Sequence, residues 1–121
     1  MPAYCLFDIR AVHDQAAMDR YVAEVPATVA RHGGEYVVVG GPWQVVEGDW
    51  RPAYPVLIRF DDLEAANRWY ESDDYRALKA LRLGAVTSDA VFFAGGGVEA
   101  HAPARRDGDG DGAPRRGPAP A

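Results

Sequence analysis

Alternating hydrophobic and polar residues near the start of the chain predict a β-strand over residues 3–12. Cys5 and Ile9 fall on one face of this strand, whereas Asp8 and Arg10 fall on the other. Because one face is apolar, we expect the strand to pack it against a core.

Helical spacing follows this strand. Asp14 is a suitable N-cap, Gly33 and Gly34 provide a stop, and Pro26 lies inside the segment, where it should kink the helix. The apolar positions that recur at three- and four-residue intervals are Met18, Tyr21, Val22, Val25 and Val29.

The rest of the pattern predicts two strands, a helical region and a final strand. The strands are expected at 35–39, 54–60 and 88–94. Asp61 or Asp62 can cap a helix, and Ser72 can restart one. The order β-α-β-β-α-β predicts an α+β, ferredoxin-like fold, with an antiparallel four-stranded sheet and helices on one face.

A small domain with one uncovered sheet face has an incomplete core. We therefore expect a homodimer that buries this face. The domain should occupy residues 1–96. Residues 97–121 are rich in Gly, Pro, Ala, Arg and Asp, which predicts a disordered tail.

Charge and composition exclude several classes of function. The chain has 121 residues and a net charge of −5, which argues against nucleic-acid and membrane partners and leaves small-molecule ligands open. Its first residues lack the basic-then-apolar layout of a signal peptide, and no apolar run has the length of a membrane-spanning helix. Its single cysteine is expected to be a buried thiol, so we expect a cytoplasmic protein. Arginine supplies all basic residues except Lys79, which is typical of a GC-rich bacterial genome.

No cofactor or metal is expected. Three dispersed histidines do not have metal-ligand spacing, and neither a nucleotide fingerprint nor a serine or cysteine nucleophile motif is present.

Glu47 is a candidate general base. It follows a strand-like Val45-Val46 pair and precedes Gly48, and Trp43 or Trp50 nearby would raise its pKa. The alternative is a carboxylate that fixes the loop by accepting backbone hydrogen bonds.

A second candidate is a charged cluster of Asp8, Arg10, Arg59 and Asp89. If strand parity places these residues on one face, an arginine can orient a carboxylate or enolate. Salt bridges at a dimer interface are the alternative.

Histidine and tyrosine candidates lie on the predicted helices. His32 is either a proton shuttle or a helix C-terminal residue, and Tyr21 is a candidate hydrogen-bond donor to a ligand carbonyl. The aromatic residues Trp69, Tyr70 and Tyr75 have helical spacing typical of core residues, although they also belong, with Trp43 and Trp50, to the predicted ligand-binding set.

The chain resembles the bacterial family called domain of unknown function 1330 (DUF1330), within the dimeric α/β-barrel superfamily. The resemblance covers residues 3–96 and rests on an ordered series of small motifs. The matching positions are Tyr21, Pro26, Gly33-Gly34, Gly40-Gly41, Glu47-Gly48, Trp50, Phe60, Ala66, Trp69-Tyr70, Ser72, Tyr75, Arg82 and Gly95. Asp73-Asp74 and Ala53-Tyr54 depart from the usual pattern.

The resemblance implies the fold, the dimer and a ligand cavity between sheet and helices. Relatives in the superfamily include cofactor-free monooxygenases, cyclases and isomerases, and one fold carries many functions. Two hypotheses remain: a small cofactor-independent enzyme acting on a carbonyl-containing metabolite by isomerisation, cyclisation or monooxygenation, with Glu47, His32, Tyr21 and Arg59 as catalytic candidates, or a non-catalytic dimeric binding or scaffold protein.

Overall fold

A computed structural model describes residues 1–95 of the chain. The elements are β1 (Ala3–Val12), α1 (Gln15–Arg31), β2 (Glu35–Val39), β3 (Pro55–Phe60), α2 (Leu63–Tyr70), α3 (Asp73–Ala85) and β4 (Val86–Ala94). The strands form one antiparallel sheet in the order β2-β3-β1-β4, so β1 lies at its centre between β3 and β4. This is the predicted ferredoxin-like arrangement, with the three helices on one face.

Side-chain caps fix the starts of the first two helices. Asp14 Oδ1 accepts from the Ala17 amide at 3.0 Å, and Asp62 Oδ1 accepts from the Ala65 amide at 2.8 Å. Ser72 precedes α3 but does not cap it, because its hydroxyl donates to the Trp69 carbonyl oxygen at 2.7 Å.

As predicted, Pro26 lies inside the first helix, and α1 continues through the proline to Arg31. Pro26 lacks the amide that would bond to the Val22 carbonyl, and this loss is confined to one turn of an otherwise complete helix. Val22 and Pro26 both lie beside the cavity described below.

Strand boundaries differ slightly from those predicted. β3 begins at Pro55 and β4 begins at Val86, directly after α3. Val45 and Val46 form no strand, because they lie in the long connection between β2 and β3. The predicted disordered tail lies outside the described residues.

The core lies between the helices and one face of the sheet. Phe60 and Trp69 are fully buried, and the Trp69 indole donates to Thr28 Oγ1 at 3.0 Å, which ties α2 to α1. Cys5 is buried as predicted, and burial raises the pKa of its thiol to about 12, so this side chain behaves as an apolar group.

The opposite face of the sheet carries apolar side chains that no described element covers. Val91 and Phe93 of β4 are 54% and 47% exposed, and Tyr4 and Leu6 of β1 pair with them across the strands. Among residues 1–95, no helix has the length and hydrophobicity needed to cross a membrane.

Gly34 and Gly84 provide a matched test of this packing. A Cβ atom at Gly34 would lie 2.6 Å from the Phe60 ring and 2.8 Å from Val29, whereas one at Gly84 would meet nothing within 4 Å. We expect Gly34→Ala to lower the free energy of unfolding by about 1–3 kcal/mol through overpacking. Gly84→Ala, inside α3, should raise it by about 0.5–1 kcal/mol. Urea denaturation measures both, and equal effects would contradict the described core.

Candidate functional site

A cavity of about 260 Å³ lies between α1 and the helix-covered face of the sheet. Aliphatic and aromatic side chains form nearly all of its wall, among them Phe7, Met18, Val25 and Ile58. This volume is below the range of drug-sized pockets, which begins near about 300 Å³. The cavity therefore suits a small, mainly apolar molecule.

Arg82 is the one charged residue of the cavity wall within the described part of the chain. It lies in the last turn of α3 and is only 2% exposed. Its Nη1 donates to Ser88 Oγ at 2.9 Å and its Nε donates to Tyr75 Oη at 3.4 Å. The guanidinium also lies 5.2 Å from the ring centre of Phe7 and 5.8 Å from that of Tyr21.

No carboxylate of residues 1–95 forms a salt bridge with Arg82, and its Nη2 atom is buried without a hydrogen-bond partner there. An unpaired buried charge is unusual, because burial costs on the order of several kcal/mol per ion when no opposite charge offsets it. This residue therefore needs an explanation other than stability.

Two tyrosines complete a polar cluster with Arg82; Tyr21 lines the cavity, whereas Tyr75 is fully buried and does not. The hydroxyl oxygens of Tyr21 and Tyr75 lie 2.7 Å apart, so one phenol donates to the other. One of their two hydroxyl hydrogens is then left without an acceptor among the described residues, and the unpaired Nη2 of Arg82 adds further N–H groups. The cluster thus has more donors than acceptors, and we call Tyr21, Tyr75 and Arg82 the Tyr-Arg cluster.

Burial keeps both phenols of the Tyr-Arg cluster protonated. Burial raises the pKa of Tyr21, and the neighbouring Tyr75 raises it further; burial also raises the pKa of Tyr75, although Arg82 opposes that change. Burial acts to lower the pKa of Arg82, but Tyr75 and Tyr21 more than offset this and the pKa is raised. At neutral pH the cluster therefore carries one positive charge.

Residues at the end of β2 and the start of β3 form the exposed part of the wall. Val39 and Val22 are 57% and 56% exposed, and Tyr54 is half-exposed beside them. Gly40 has φ of +60°, and a Cβ atom there would meet the Tyr54 ring. Tyr36 lies in the same wall. Its pKa is raised to about 12, mainly by burial and to a smaller extent by the nearby Tyr75.

Of the four predicted catalytic residues, only Tyr21 contacts the cavity. Glu47 is exposed in the connection between β2 and β3 and does not line the cavity. His32 is the C-cap residue of α1, and its Nε2 lies 3.1 Å from Asp74 Oδ1 at the surface. Arg59 lies on the uncovered sheet face, with its Nη1 3.5 Å from Glu35. The structure places these three away from the cavity, and their catalytic roles stay untested predictions.

The predicted charged cluster is only partly assembled. Arg10 lies on the uncovered face between Asp8 and Asp89, at 3.7 and 3.4 Å, whereas Arg59 is opposite Tyr4 near the other end of the sheet. Asp8 is 3% exposed, and its Oδ1 accepts from the amides of Ala53 and Tyr54, each at 2.9 Å. Asp8 therefore anchors the connection before β3.

The predicted aromatic ligand-binding residues divide into two groups. Trp69 and Tyr75 are fully buried and stack with ring centres 4.3 Å apart, and Tyr70 packs beside them. Trp43 and Trp50 are exposed in the connection between β2 and β3. Trp50 borders a separate groove on the uncovered sheet face, together with Asp8 and Val91.

Arg82 was identified from the sequence as a family-matching position but was not predicted as a site residue. A signal was available, because Arg82 follows Tyr75 and Leu78 at helical spacing on the buried face of α3. An arginine on an apolar helical stripe suggests a buried charge. Its proximity to Tyr21 depends on the packing of α1 against α3, which spacing alone does not reveal.

Comparisons with known proteins agree with this architecture. The family model "Domain of unknown function (DUF1330)" matches residues 2–96. No curated protein matches the chain. A protein of unknown function from Rhodopseudomonas palustris has 18% identity and a TM-score of 0.63, over 78% of this chain and 82% of the other.

Two further solved structures share the fold. A dimeric ferredoxin-like protein of unknown function from Jannaschia sp. CCS1 has 16% identity and a TM-score of 0.59, over 77% of this chain and 98% of the other. SnoaB, a cofactor-independent oxygenase from Streptomyces nogalater, has 17% identity and a TM-score of 0.52, over 78% and 90%. At these identities the likeness establishes the fold alone.

The contact between His32 and Asp74 gives a pH prediction. The pKa of the Asp74 carboxyl group is lowered by three neighbours, Ser72, His32 and Arg31. The Ser72 hydroxyl donates its hydrogen to the Trp69 carbonyl oxygen, so we attribute most of the lowered pKa to the two basic residues. Because the pKa of Asp74 is lower in the folded state than in the unfolded state, its ionised form stabilises the protein at any pH above the unfolded-state pKa of about 3.9. This stabilisation is lost as the pH falls through the folded-state pKa.

We therefore expect Asp74→Asn to be less stable than the unmodified protein at pH 7, with the difference disappearing in acid. Urea denaturation from pH 7 to pH 2 measures it. Asp73→Asn, at an exposed neighbour paired with Arg76, is the control and should show a smaller difference. A difference independent of pH would contradict the assigned role of Asp74.

Proposed function

Because this chain belongs to the DUF1330 family, whose function is not established, we propose from its cavity that it is a small cofactor-independent enzyme acting on a carbonyl-containing metabolite. The observation that supports this proposal is the Tyr-Arg cluster, in which a buried positive charge and a spare phenolic hydrogen lie together at an apolar cavity. Donors placed in advance around a developing oxyanion are a major source of catalysis.

The chemistry that suits this cluster is formation of an enol or enolate. When a proton leaves the carbon beside a carbonyl, the electron pair moves to the carbonyl oxygen. The Tyr21 hydroxyl, which lines the cavity, can then donate to that oxygen while Tyr75 donates to Tyr21, and Arg82 stabilises the negative charge. Isomerisation, cyclisation and monooxygenation of a carbonyl compound can each proceed from such an intermediate.

The substrate must be an activated carbon acid. Within the described residues, no carboxylate or imidazole lines the cavity, and both phenols of the cluster are held protonated. Water, or a basic group of the substrate, then accepts the carbon-bound proton. We infer that a second electron-withdrawing group flanks the reacting carbon.

This lack of a base also favours the second candidate, a dimeric binding protein without catalysis. A binding protein would use the same cavity and the same Tyr-Arg cluster to hold a ligand, but it would not convert that ligand into a product. The two candidates are separated by a reaction that needs only enolisation.

Deuterium exchange into 2-tetralone, a neutral compact ketone with an activated carbon, provides this measurement. We expect the protein to accelerate exchange at C1 in D2O, measured by proton NMR. Tyr21→Phe, which removes the cluster hydroxyl that lines the cavity, should reduce that acceleration by about 100-fold, as for loss of one oxyanion donor. The control variant Tyr4→Phe, altered on the opposite face of the sheet, should accelerate the exchange of 2-tetralone as much as the unmodified protein does.

Each alternative result has a clear meaning. Saturable binding of 2-tetralone without faster exchange would support the binding protein and overturn the enzyme. Acceleration that persists in Tyr21→Phe would contradict the role of the Tyr-Arg cluster. If 2-tetralone neither binds nor exchanges, the cavity is not a site for neutral ketones.

We further propose that the uncovered sheet face is the interface of a homodimer. Its exposed apolar residues, including Val38, Val91 and Phe93, have no partner among the described elements, and a dimeric protein of the same fold supports the proposal. A second copy would bury this face from both sides and complete its packing.

Val91→Glu should convert the dimer to a monomer, because it places a charge within the buried patch. Light scattering coupled to size exclusion gives the molar mass. Leu83→Glu, at an α3 position that is 58% exposed, is the matched control and should not alter it. A monomeric unmodified protein, or a dimer unaffected by Val91→Glu, would overturn the interface.

A further inference from the structure

Arg82 lacks the counter-ion that a buried guanidinium needs. Its side chain is 2% exposed, and its contacts within residues 1–95 are a serine hydroxyl, a tyrosine hydroxyl and two aromatic rings, all of them neutral. Because charged side chains are almost never fully buried unless paired, the partner must come from elsewhere. The following inference rests on the proposed function only in requiring that the cavity holds a ligand.

The unpaired atom is informative about the shape of that partner. Nε of Arg82 already bonds to Tyr75 and Nη1 to Ser88, whereas Nη2 bonds to nothing among the described residues. A guanidinium can bind a carboxylate with two parallel hydrogen bonds along either of two edges, one formed by Nε and Nη2 and the other by Nη1 and Nη2. Nη2 belongs to both edges. Nη2 itself is buried, so an incoming carboxylate must displace a neighbouring cavity-wall side chain to bind it. The carboxylate then shares one of the existing contacts, of which the Tyr75 contact is the longer at 3.4 Å.

The rest of the cavity limits the ligand further. The site has one positive charge and no second basic residue, so a dianion such as a phosphate monoester would leave an excess negative charge in an apolar enclosure. The remaining wall is formed by side chains such as Met18, Val25 and Ile58, which favour an apolar body. The volume of about 260 Å³ restricts that body to about the size of one ring or two fused rings.

We propose that the ligand of this cavity is a small monocarboxylate with an apolar body, whose carboxylate pairs with Arg82. The spare phenolic hydrogen of the Tyr21 and Tyr75 pair lies on the same side of the cavity, next to the guanidinium. A carbonyl group close to the carboxylate can accept that hydrogen. Apolar oxo acids therefore satisfy both donors of the Tyr-Arg cluster, and they form the expected substrate class.

Benzoate and benzamide are suitable probes, because they have nearly the same shape and differ in charge. We expect the protein to bind benzoate at least about tenfold more tightly than benzamide at pH 7, as measured by titration calorimetry, since a charge-assisted hydrogen bond contributes more than a neutral one. The preference should change little between low and high salt, because a buried pair is poorly screened.

Arg82→Met keeps an unbranched apolar side chain and removes the charged guanidinium. This variant should lose the preference for benzoate while keeping its affinity for benzamide. Arg76→Met makes the same substitution at an exposed position of the same helix, 68% exposed at the side chain, and should keep the preference. Thermal unfolding of Arg82→Met should show a midpoint that is unchanged or raised, because an unpaired buried charge has been removed.

The possible results separate this inference from the proposed function. Equal binding of benzoate and benzamide to the unmodified protein would overturn the carboxylate ligand and leave the cavity as a site for neutral molecules. A benzoate preference that survives in Arg82→Met would also overturn it, by placing the anion elsewhere. Binding of neither probe, with no exchange of 2-tetralone, would overturn both.

Discussion

The unpaired charge of Arg82 is the constraint on which the arrangement of this interior depends. The guanidinium is enclosed by Phe7, Tyr21, Tyr75 and Ser88, which supply aromatic faces and hydroxyl oxygens but no negative charge. Such surroundings reduce the cost of burial without neutralising the ion. The positive charge is therefore retained beside an apolar cavity, where its effect on a ligand is strong because little water screens it.

The stability that offsets this cost comes from the layer of aromatic side chains next to it. Trp69 stacks on Tyr75 with ring centres 4.3 Å apart and meets Phe60 at 5.5 Å. Tyr75, which accepts a hydrogen bond from Arg82, is therefore also packed among the aromatic residues of the core. The Trp69 indole is bonded to Thr28, which in turn donates to the Val25 carbonyl at 2.8 Å. These contacts of the core therefore hold Tyr75, and with it the Tyr-Arg cluster, in a fixed position.

The fold was predictable because its determinants are local. Alternation in β1, the carboxylate caps at Asp14 and Asp62, and the order of the elements each follow from a few neighbouring residues. The family resemblance was confirmed over residues 2–96. Errors were confined to strand boundaries: β4 was predicted to begin at residue 88, but it begins at Val86, directly after α3 and without an intervening turn.

The candidate site was less predictable because it is assembled from distant parts of the chain. Tyr21 and Tyr75 are 54 positions apart, and their hydrogen bond requires α1 and α3 to cross at one particular place. Sequence reasoning favoured exposed, chemically familiar residues such as Glu47 and His32, yet neither reaches the cavity. Arg82 lies in the last turn of α3, where basic residues are common because they interact favourably with the helix dipole. Its position in the sequence therefore did not mark it as a site residue.

Asp8 connects the two faces of the sheet. On the uncovered face it lies 3.7 Å from Arg10, and with its other oxygen it holds the amides of Ala53 and Tyr54. The Tyr54 ring borders the cavity on the opposite face, and the Tyr54 carbonyl accepts from the Ile9 amide at 3.1 Å. A single buried carboxylate therefore fixes the wall of the cavity from the side on which a second copy would pack, so the proposed interface and the proposed site share a structural element.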